Sequence, residues 1–405
     1  MGRLADGVNK SSVLVLTSTF PRWKGDAEPT FVFELCRRLS AYFEIHVVAP
    51  HAPGCATYET FEGLHIHRFP YFFMCWERLA YQGGILANIK KQPLLRFLIP
   101  FFLMAQLVCA VRLLKQSEFQ LVHAHWIFPQ GLVALWARSL TRSSSRILCT
   151  AHGGDLYGLK GGFFERVKRQ VVNRCDHMTV VSHAMHSDLL GLNTAPQDVS
   201  VIPMGVDLRH RFVPRAGRNH KGLLLFVGRL VEKKGLRYLL EAMPIILKTH
   251  PDTRLRIAGD GPDRPAMEKL ALGLGLRNHV EFLGAVSNDD LPGLYQDSGI
   301  LVFPSVVARH GDREGFGLVL VEALGCECAV VTTGLAAMRD IVQNGETGWV
   351  VEQKSPEQIA HAVICLINKP ELGRGLARNG RNHVLSRFDW ETVAEKYAAL
   401  MRAMG

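Results

Sequence analysis

The chain has 405 residues, 48% of them apolar and 21% charged, with a mean hydropathy of +0.08. That composition excludes disorder, and the length exceeds what one hydrophobic core usually supports, so two domains are the simplest expectation. Forty-seven Lys and Arg against 37 Asp and Glu leave a net charge of +10, which favours an anionic partner such as a phosphorylated ligand or an acidic membrane surface. Nucleic acid is set aside, because the basic residues are scattered through amphipathic segments and form neither a stripe nor a recognisable module.

In chain order, the polar stretch Met1–Lys10 predicts neither a signal peptide nor a transit peptide. Short β-branched runs then alternate with helical-period runs, the pattern of βαβ units and parallel sheets. The strand candidates of the first half are Val13–Thr17, Ile45–Ala49, Leu64–Phe69, Leu121–His125, Ile147–Ala151, Met178–Val181 and Val199–Ile202, with helices over Phe31–Leu39 and Gly131–Leu140. Leu94–Leu114 is nearly long enough to span a bilayer but is interrupted by Arg96, Pro100, Gln106 and Arg112. Three readings stand: a helix packed inside the first domain, an in-plane helix touching a membrane, or a span.

Pro203–Lys221, rich in Pro, Gly and basic residues, is the hinge candidate. Beyond it the strand candidates are Leu223–Val227, Leu255–Ala258, Val280–Leu283, Ile300–Phe303, Ala329–Thr332 and Trp349–Val351. Ser287–Asp290, Ser355–Gln358 and Asp389 are expected to cap helices. Nine cysteines at unpaired spacings suggest reduced thiols in a cytosol. Cys326 and Cys328, flanking Glu327, are placed in a helical segment as buried fillers.

In open parallel sheets ligands collect beyond the carboxyl ends of strands, so the residues just after each strand carry the functional expectation. After Leu223–Val227 comes Gly228–Gly235, in which Arg229 and Lys234 are two cations able to hold a diphosphate. After Ile300–Phe303 comes Glu314-Gly315-Phe316-Gly317-Leu318, a Gly-Phe-Gly turn at a helix N-terminus, with Glu322 about two turns further on. Glu314 could accept hydrogen bonds from sugar hydroxyls and Glu322 could clasp a ribose diol. After Ile147–Ala151 comes His152-Gly153-Gly154-Asp155, a turn that puts an imidazole at a cleft edge, and Asp155 is with Asp26 an acceptor or cleft candidate. The loop Thr19–Glu28, with Gly25 and Asp26, is a weak phosphate-loop candidate. His123 and His125 have no third ligand at a sensible spacing and are assigned to packing, so no metal site is expected. The chain lacks G-x-G-x-x-G and Walker sequences, which counts against dehydrogenases and ATPases.

Together the Glu314…Glu322 pair, Gly228-Arg229…Lys234-Gly235, His152–Asp155 and the closing Phe388-Asp-Trp-Glu-Thr-Val-Ala-Glu-Lys-Tyr397 resemble the retaining glycosyltransferases of family 4 over nearly the whole chain. The resemblance implies an α/β, GT-B fold of two facing Rossmann-like domains. Residues 1–205 would form the acceptor domain, 206–386 the nucleotide-sugar donor domain, and 387–405 a helix crossing back to the first. It implies that Arg229 and Lys234 bind the donor diphosphate, that Glu314 contacts the transferred sugar, and that Glu322 binds the ribose. Backbone groups of Phe316, Gly317 and Leu318 would complete that pocket, with His152 near the reacting centre. No metal or other cofactor is needed in this chemistry; the nucleotide-diphosphate sugar is a co-substrate. Two departures stand out: Lys24-Gly25-Asp26 where many members have consecutive glycines, and Met204 where Asn is usual. The expected acceptor is a lipid-linked or cell-surface polysaccharide intermediate, met in the cytoplasm, with peripheral contact at the inner membrane face. A GT-B-fold sugar-nucleotide epimerase and a silent sugar-nucleotide-binding protein are the alternatives.

Overall fold

The computed structural model describes residues 10–26, 28, 30–159, 161–192, 194, 196, 198–215 and 222–405. Residues 1–9 of the polar N-terminal stretch, Ala27 of the loop after the first strand, and 216–221 of the hinge candidate lie outside them. Two compact units emerge. The first comprises the chain through Val181, His186–Ile202 and Ala394–Gly405; the second comprises Ser182–Met185 and Pro203–Val393.

The first unit is built on an eight-stranded sheet in the order β3-β4-β2-β1-β5-β6-β7-β8. Its strands are β1 (Ser12–Leu16), β2 (Glu44–Pro50), β3 (Tyr58–Phe61), β4 (Leu64–Phe69), β5 (Leu121–His125), β6 (Arg146–Ala151), β7 (His177–Val180) and β8 (Val199–Val201). All neighbours pair in parallel except β3 with β4. Sequence patterning misses β3, because an edge strand of four residues with an exposed face has no continuous apolar run. The second unit has six parallel strands in the order β11-β10-β9-β12-β13-β14. They are β9 (Leu223–Val227), β10 (Arg254–Ala258), β11 (Val280–Gly284), β12 (Ile300–Phe303), β13 (Ala329–Thr333) and β14 (Trp349–Val351). The apolar runs read from the sequence are these strands. The central strands β1, β9, β12 and β13 are almost wholly buried, as expected where helices cover both faces of a parallel sheet, whereas outer strands such as β4 and β10 alternate with polar residues.

The apolar segment divides into a 3-10 turn, Pro93–Leu98, and a helix, Ile99–Gln116. Pro100 does not interrupt the helix, because it occupies the first turn, where its missing N–H costs nothing. Gln106 is fully buried and satisfied: its amide donates to the Thr17 carbonyl at 3.1 Å and its oxygen accepts from Gln130 at 3.4 Å. The expectation of a helix packed inside the domain needs correction. Phe102, Gln106, Ala110 and Leu113 face inward, whereas Phe97, Phe101, Met104 and Val108 are more than half exposed. Pro93–Gln116 is long and apolar enough to cross a membrane, but it presents one apolar face to the unit and another to solvent.

Two further local expectations change. Ser287 does not cap a helix; its hydroxyl accepts from the Asp289 N–H within a turn, and the helix Leu291–Asp297 begins without a side-chain cap. Cys326 and Cys328 lie beyond the end of the helix Leu318–Gly325, in a turn where Glu327 takes a positive φ of 54°. Both are buried, as fillers should be, and none of the nine cysteines joins a disulfide. Ser355 does cap its helix, accepting from Gln358 N–H at 3.3 Å, and the Asp389 carboxylate accepts from Glu391 N–H at 3.3 Å.

A buried polar chain threads the first sheet. His125 Nδ1 lies 3.0 Å from His152 Nε2, and the His123 and His125 rings lie 4.2 Å apart. His123 Nε2 then meets Thr150 Oγ1 at 2.8 Å, Thr150 meets Thr179 at 2.5 Å, and Tyr397 of the terminal helix lies 3.4 Å from both threonines. Burial pushes His123 and His152 down to about 3 and His125 well below its ordinary value, so all three imidazoles are neutral in the folded protein. An unfolded chain takes up these protons near pH 6.5. Stability is therefore fully present above about pH 6.5 and falls as pH drops towards 3, by about 1.4 kcal/mol per pH unit for each such histidine. Urea-unfolding midpoints measured between pH 7 and pH 5, above the range where most carboxylates titrate, should fall steadily. His125→Gln should flatten that slope by about one proton, and an unchanged slope would show that His125 is not held neutral.

Candidate active site

The second sheet reverses direction at β9: the chain steps outward to β10 and β11, then returns to place β12 on the other side of β9. Crossovers diverge at such a switch point and leave a crevice at the carboxyl ends of the two strands. The residues that follow β9 and β12 meet there. A 3-10 turn, Glu232–Lys234, follows β9 and closes on Gly235, which has φ of +69°. A Cβ at Gly235 would lie 1.9 Å from the Pro304 carbonyl oxygen just after β12, so only glycine permits this approach of the two strand ends.

Lys234 is thereby brought to Glu314: Nζ and Oε2 are 2.5 Å apart, and each side chain is 15% exposed. This is an ion pair without a well-directed hydrogen bond, and the buried Oε2 has no other protein partner. The ammonium also lies 4.7 Å from the centroid of the Phe303 ring, a cation–π contact that holds the charge in place. Gly315, Phe316 and Gly317 are buried, and the helix Leu318–Gly325 starts directly after them. Its first-turn N–H groups have no carbonyl of their own helix to bond, so they add positive potential beside Lys234. Arg229 is exposed, and the ion pair with Glu314 is made by Lys234.

Glu322, on the same helix, is half-buried and accepts a 2.7 Å hydrogen bond from the Tyr295 hydroxyl. Burial pushes its carboxyl above the ordinary range, against the pull of that hydrogen bond and of the Arg211 and Lys234 charges. Tyr295, fully buried on Leu291–Asp297, is brought to Glu322 only by the fold and is not legible in the sequence as its partner. Gly259 and Gly261 are also missed: a Cβ on either would strike the carbonyl of Gly228 or Leu230, at 2.0 and 2.3 Å. Gly259-Asp-Gly-Pro262 immediately after β10 was the available signal.

In the first unit the switch point falls between β1 and β5. A cavity of about 560 Å³ lies there, walled by Phe31, Leu86, Ile99, Phe102, Leu103 and Trp126, with Ser18, Glu28 and Arg96 supplying polar groups. His152 packs behind this wall, its ring centroid 4.9 Å from Phe31 and 5.0 Å from Trp126, and its Nδ1 is buried without a protein partner. A neutral imidazole there can give or take one hydrogen bond, but cannot supply a charge.

Asp155 and Asp26, the acceptor or cleft candidates, both have carboxylates engaged by protein groups, although Asp155 still lines the cavity. The Asp155 carboxylate accepts from the His152 and Gly153 N–H groups, each at 3.1 Å, and from Ile127 N–H at 2.7 Å, tying the loops after β5 and β6 together. Asp26 accepts from the Arg22 backbone and guanidinium at 2.7–2.8 Å. Burial raises the Asp26 carboxyl, but these bonds outweigh it and hold it below the usual range. Gly25 is exposed with φ of +80° and open space around it.

Residues 29–210 match the family model Glycosyltransferase Family 4 and residues 212–383 match Glycosyl transferases group 1. The chain is 34% identical over 187 residues to an uncharacterized glycosyltransferase of Methanocaldococcus jannaschii, spanning 45% of this chain and 46% of that one. It is 28% identical over 302 residues to the GDP-mannose-dependent alpha-(1-6)-phosphatidylinositol monomannoside mannosyltransferase of Mycobacterium tuberculosis, spanning 72% of this chain and 78% of that one. Sucrose-phosphate synthase from Thermosynechococcus elongatus shares the fold, with a TM-score of 0.78 at 21% identity over 98% of this chain and 99% of that one. The expected GT-B class, with two Rossmann-like parallel-sheet domains, is the observed one. The chain is an enzyme of glycosyltransferase family 4, and Lys234 and Glu314 lie in its group 1 half.

Proposed function

We propose that this glycosyltransferase moves a hexose-type unit from a nucleotide-diphosphate sugar to a lipid-linked saccharide, with retention of anomeric configuration and without a metal. The Lys234–Glu314 pair at the β9/β12 switch point carries the donor half of this reading. A fixed ammonium beside a helix N-terminus suits a departing diphosphate, and the Glu314 oxygen without a hydrogen-bond donor suits a sugar hydroxyl. Together these groups supply positive potential where other enzymes use a cation, which supports metal independence. Retention rests on the family resemblance. Arg229 would reach the diphosphate from the exposed side of its turn, the Phe316–Leu318 backbone would hold phosphate oxygens, and Glu322 would meet the ribose once Tyr295 has fixed its orientation. His152, being neutral, would hydrogen-bond a sugar or acceptor hydroxyl, and Gly25 would let the loop after β1 come close to it.

Lys234→Ala should lower kcat/KM by about 10²–10³-fold, and Glu314→Gln should lower kcat with a smaller effect on nucleotide binding. Steady-state kinetics with the sugar nucleotide that gives the largest thermal shift in a UDP-, GDP- and ADP-sugar panel would read both. Wild-type rates from both variants would remove the donor assignment. Activity unchanged by excess EDTA is expected, and restoration by added Mg²⁺ or Mn²⁺ after EDTA would contradict metal independence. Formation of an epimer from sugar nucleotide alone would favour an epimerase instead.

The lipid-linked acceptor is supported by the apolar cavity and by the outward face of the neighbouring helix. Leu94 and Phe97 are 75% and 62% exposed, and Lys90, Lys91, Arg96, Arg112 and Lys115 lie exposed around that face. An apolar stripe edged with cations suits an in-plane position at an anionic, cytoplasmic membrane surface. A Phe97→Glu, Phe101→Glu, Met104→Glu variant should lose co-sedimentation with phosphatidylglycerol vesicles yet retain its nucleotide-sugar thermal shift. Equal sedimentation of variant and wild type would remove the membrane contact.

A further inference from the structure

The amino ends of the first sheet, opposite its cavity, carry a cluster that neither donor nor acceptor uses. β2 and β4 pair in parallel with His46 directly beside His65, and Glu44 lies two residues before His46 on the same face. His46 Nε2 lies 3.6 Å and His65 Nε2 3.7 Å from the same oxygen, Glu44 Oε1. The three ligand atoms all fall within 4.8 Å of one another. Tetrahedral coordination with bonds of about 2.0–2.1 Å would set ligand atoms roughly 3.4 Å apart, so small side-chain movements would close the set around one ion.

The outer contacts are what distinguish this cluster from an incidental patch of surface histidines. The other imidazole nitrogen of each ligand is already engaged: His46 Nδ1 meets His67 Nε2 at 3.1 Å, and His65 Nδ1 meets the Tyr58 hydroxyl at 3.0 Å. The other oxygen of Glu44 accepts from Ser12 Oγ at 2.9 Å. In the tautomer with the protons on Nδ1, which a bound cation at Nε2 would select, both Nε2 lone pairs would face the same space as Glu44 Oε1. Outer partners that fix ring orientation and tautomer in this way are the usual support of a histidine metal site. The rings of His46 and His65 stack at 4.6 Å, the edge of Phe119 packs against His46, and all the strands involved are neighbours in one sheet. The groups are therefore positioned before any ion arrives.

We propose that Glu44, His46 and His65 bind one zinc-class divalent cation, leaving the remaining coordination position to water and clamping β2 to β4. Two imidazoles with one carboxylate suit zinc and its first-row neighbours, and disfavour calcium and magnesium, which take oxygen ligands. The site is independent of the transfer chemistry.

The test is titration of the metal-stripped full chain with Zn²⁺ against a competing chromophoric chelator, alongside the unfolding temperature. One equivalent should bind, and the unfolding temperature should rise with zinc concentration. His65→Gln and Glu44→Gln should each weaken binding at least tenfold while unfolding at the wild-type temperature without metal. Tyr58→Phe, which leaves the three ligands intact, should weaken binding by about tenfold, as loss of an outer partner does. Co²⁺ in place of zinc should give visible absorption bands that disappear in His65→Gln. Undetectable binding at 100 µM Zn²⁺ on the order of a weak-site limit, or equal binding by wild type and His65→Gln, would overturn the proposal.

Discussion

Both sheets are governed by one constraint: a parallel crossover is right-handed, so a chain that covers both faces of its sheet must reverse direction once. At that reversal the two flanking connections leave on opposite faces, and a crevice opens at the strand ends without any special sequence. The first unit reverses between β1 and β5 and the second between β9 and β12. What distinguishes the two crevices is what the following loops place in them. Apolar walls fill one. A fixed cation, an acid and a helix start occupy the other.

The electrostatics of the two units follow opposite principles. In the second, the partly buried Lys234 is paired with Glu314 and lies over the Phe303 ring. In the first, the rings of His123, His125 and His152 are buried against one another, and loss of hydration keeps them neutral. The proposed division of labour follows from this contrast: the crevice holding Lys234 suits an anion, and the largely apolar cavity suits a ligand with an apolar portion.

The central parallel strands read clearly from sequence because burial on both faces makes them short apolar runs, and the residues after them could be named from that reading alone. Lys234, Glu314 and Glu322 carry their chemistry in their own residue types and spacing, so they were legible too. Tyr295 and Phe303 were not: both are apolar-looking residues of ordinary elements, and only tertiary placement turns them towards Glu322 and Lys234. Asp26 and Asp155 show the converse: their hydrogen-bond partners are not legible in the sequence. A carboxylate beside a glycine reads as a ligand until the backbone folds back and uses its lone pairs. The His46–His65 pairing depends on the register of two strands separated by a hairpin arm, which no local pattern fixes.

The proposed role of the β9/β12 crevice is to hold the diphosphate and sugar of the donor. A crystal structure of the chain with an intact, non-hydrolysable nucleotide-diphosphate sugar tests it most directly. Phosphate oxygens are expected within hydrogen-bonding distance of Lys234 Nζ and of the backbone at Phe316–Leu318, with Glu314 turned from Lys234 towards the sugar hydroxyls. A donor bound elsewhere, with the Lys234–Glu314 pair intact and untouched, would contradict it.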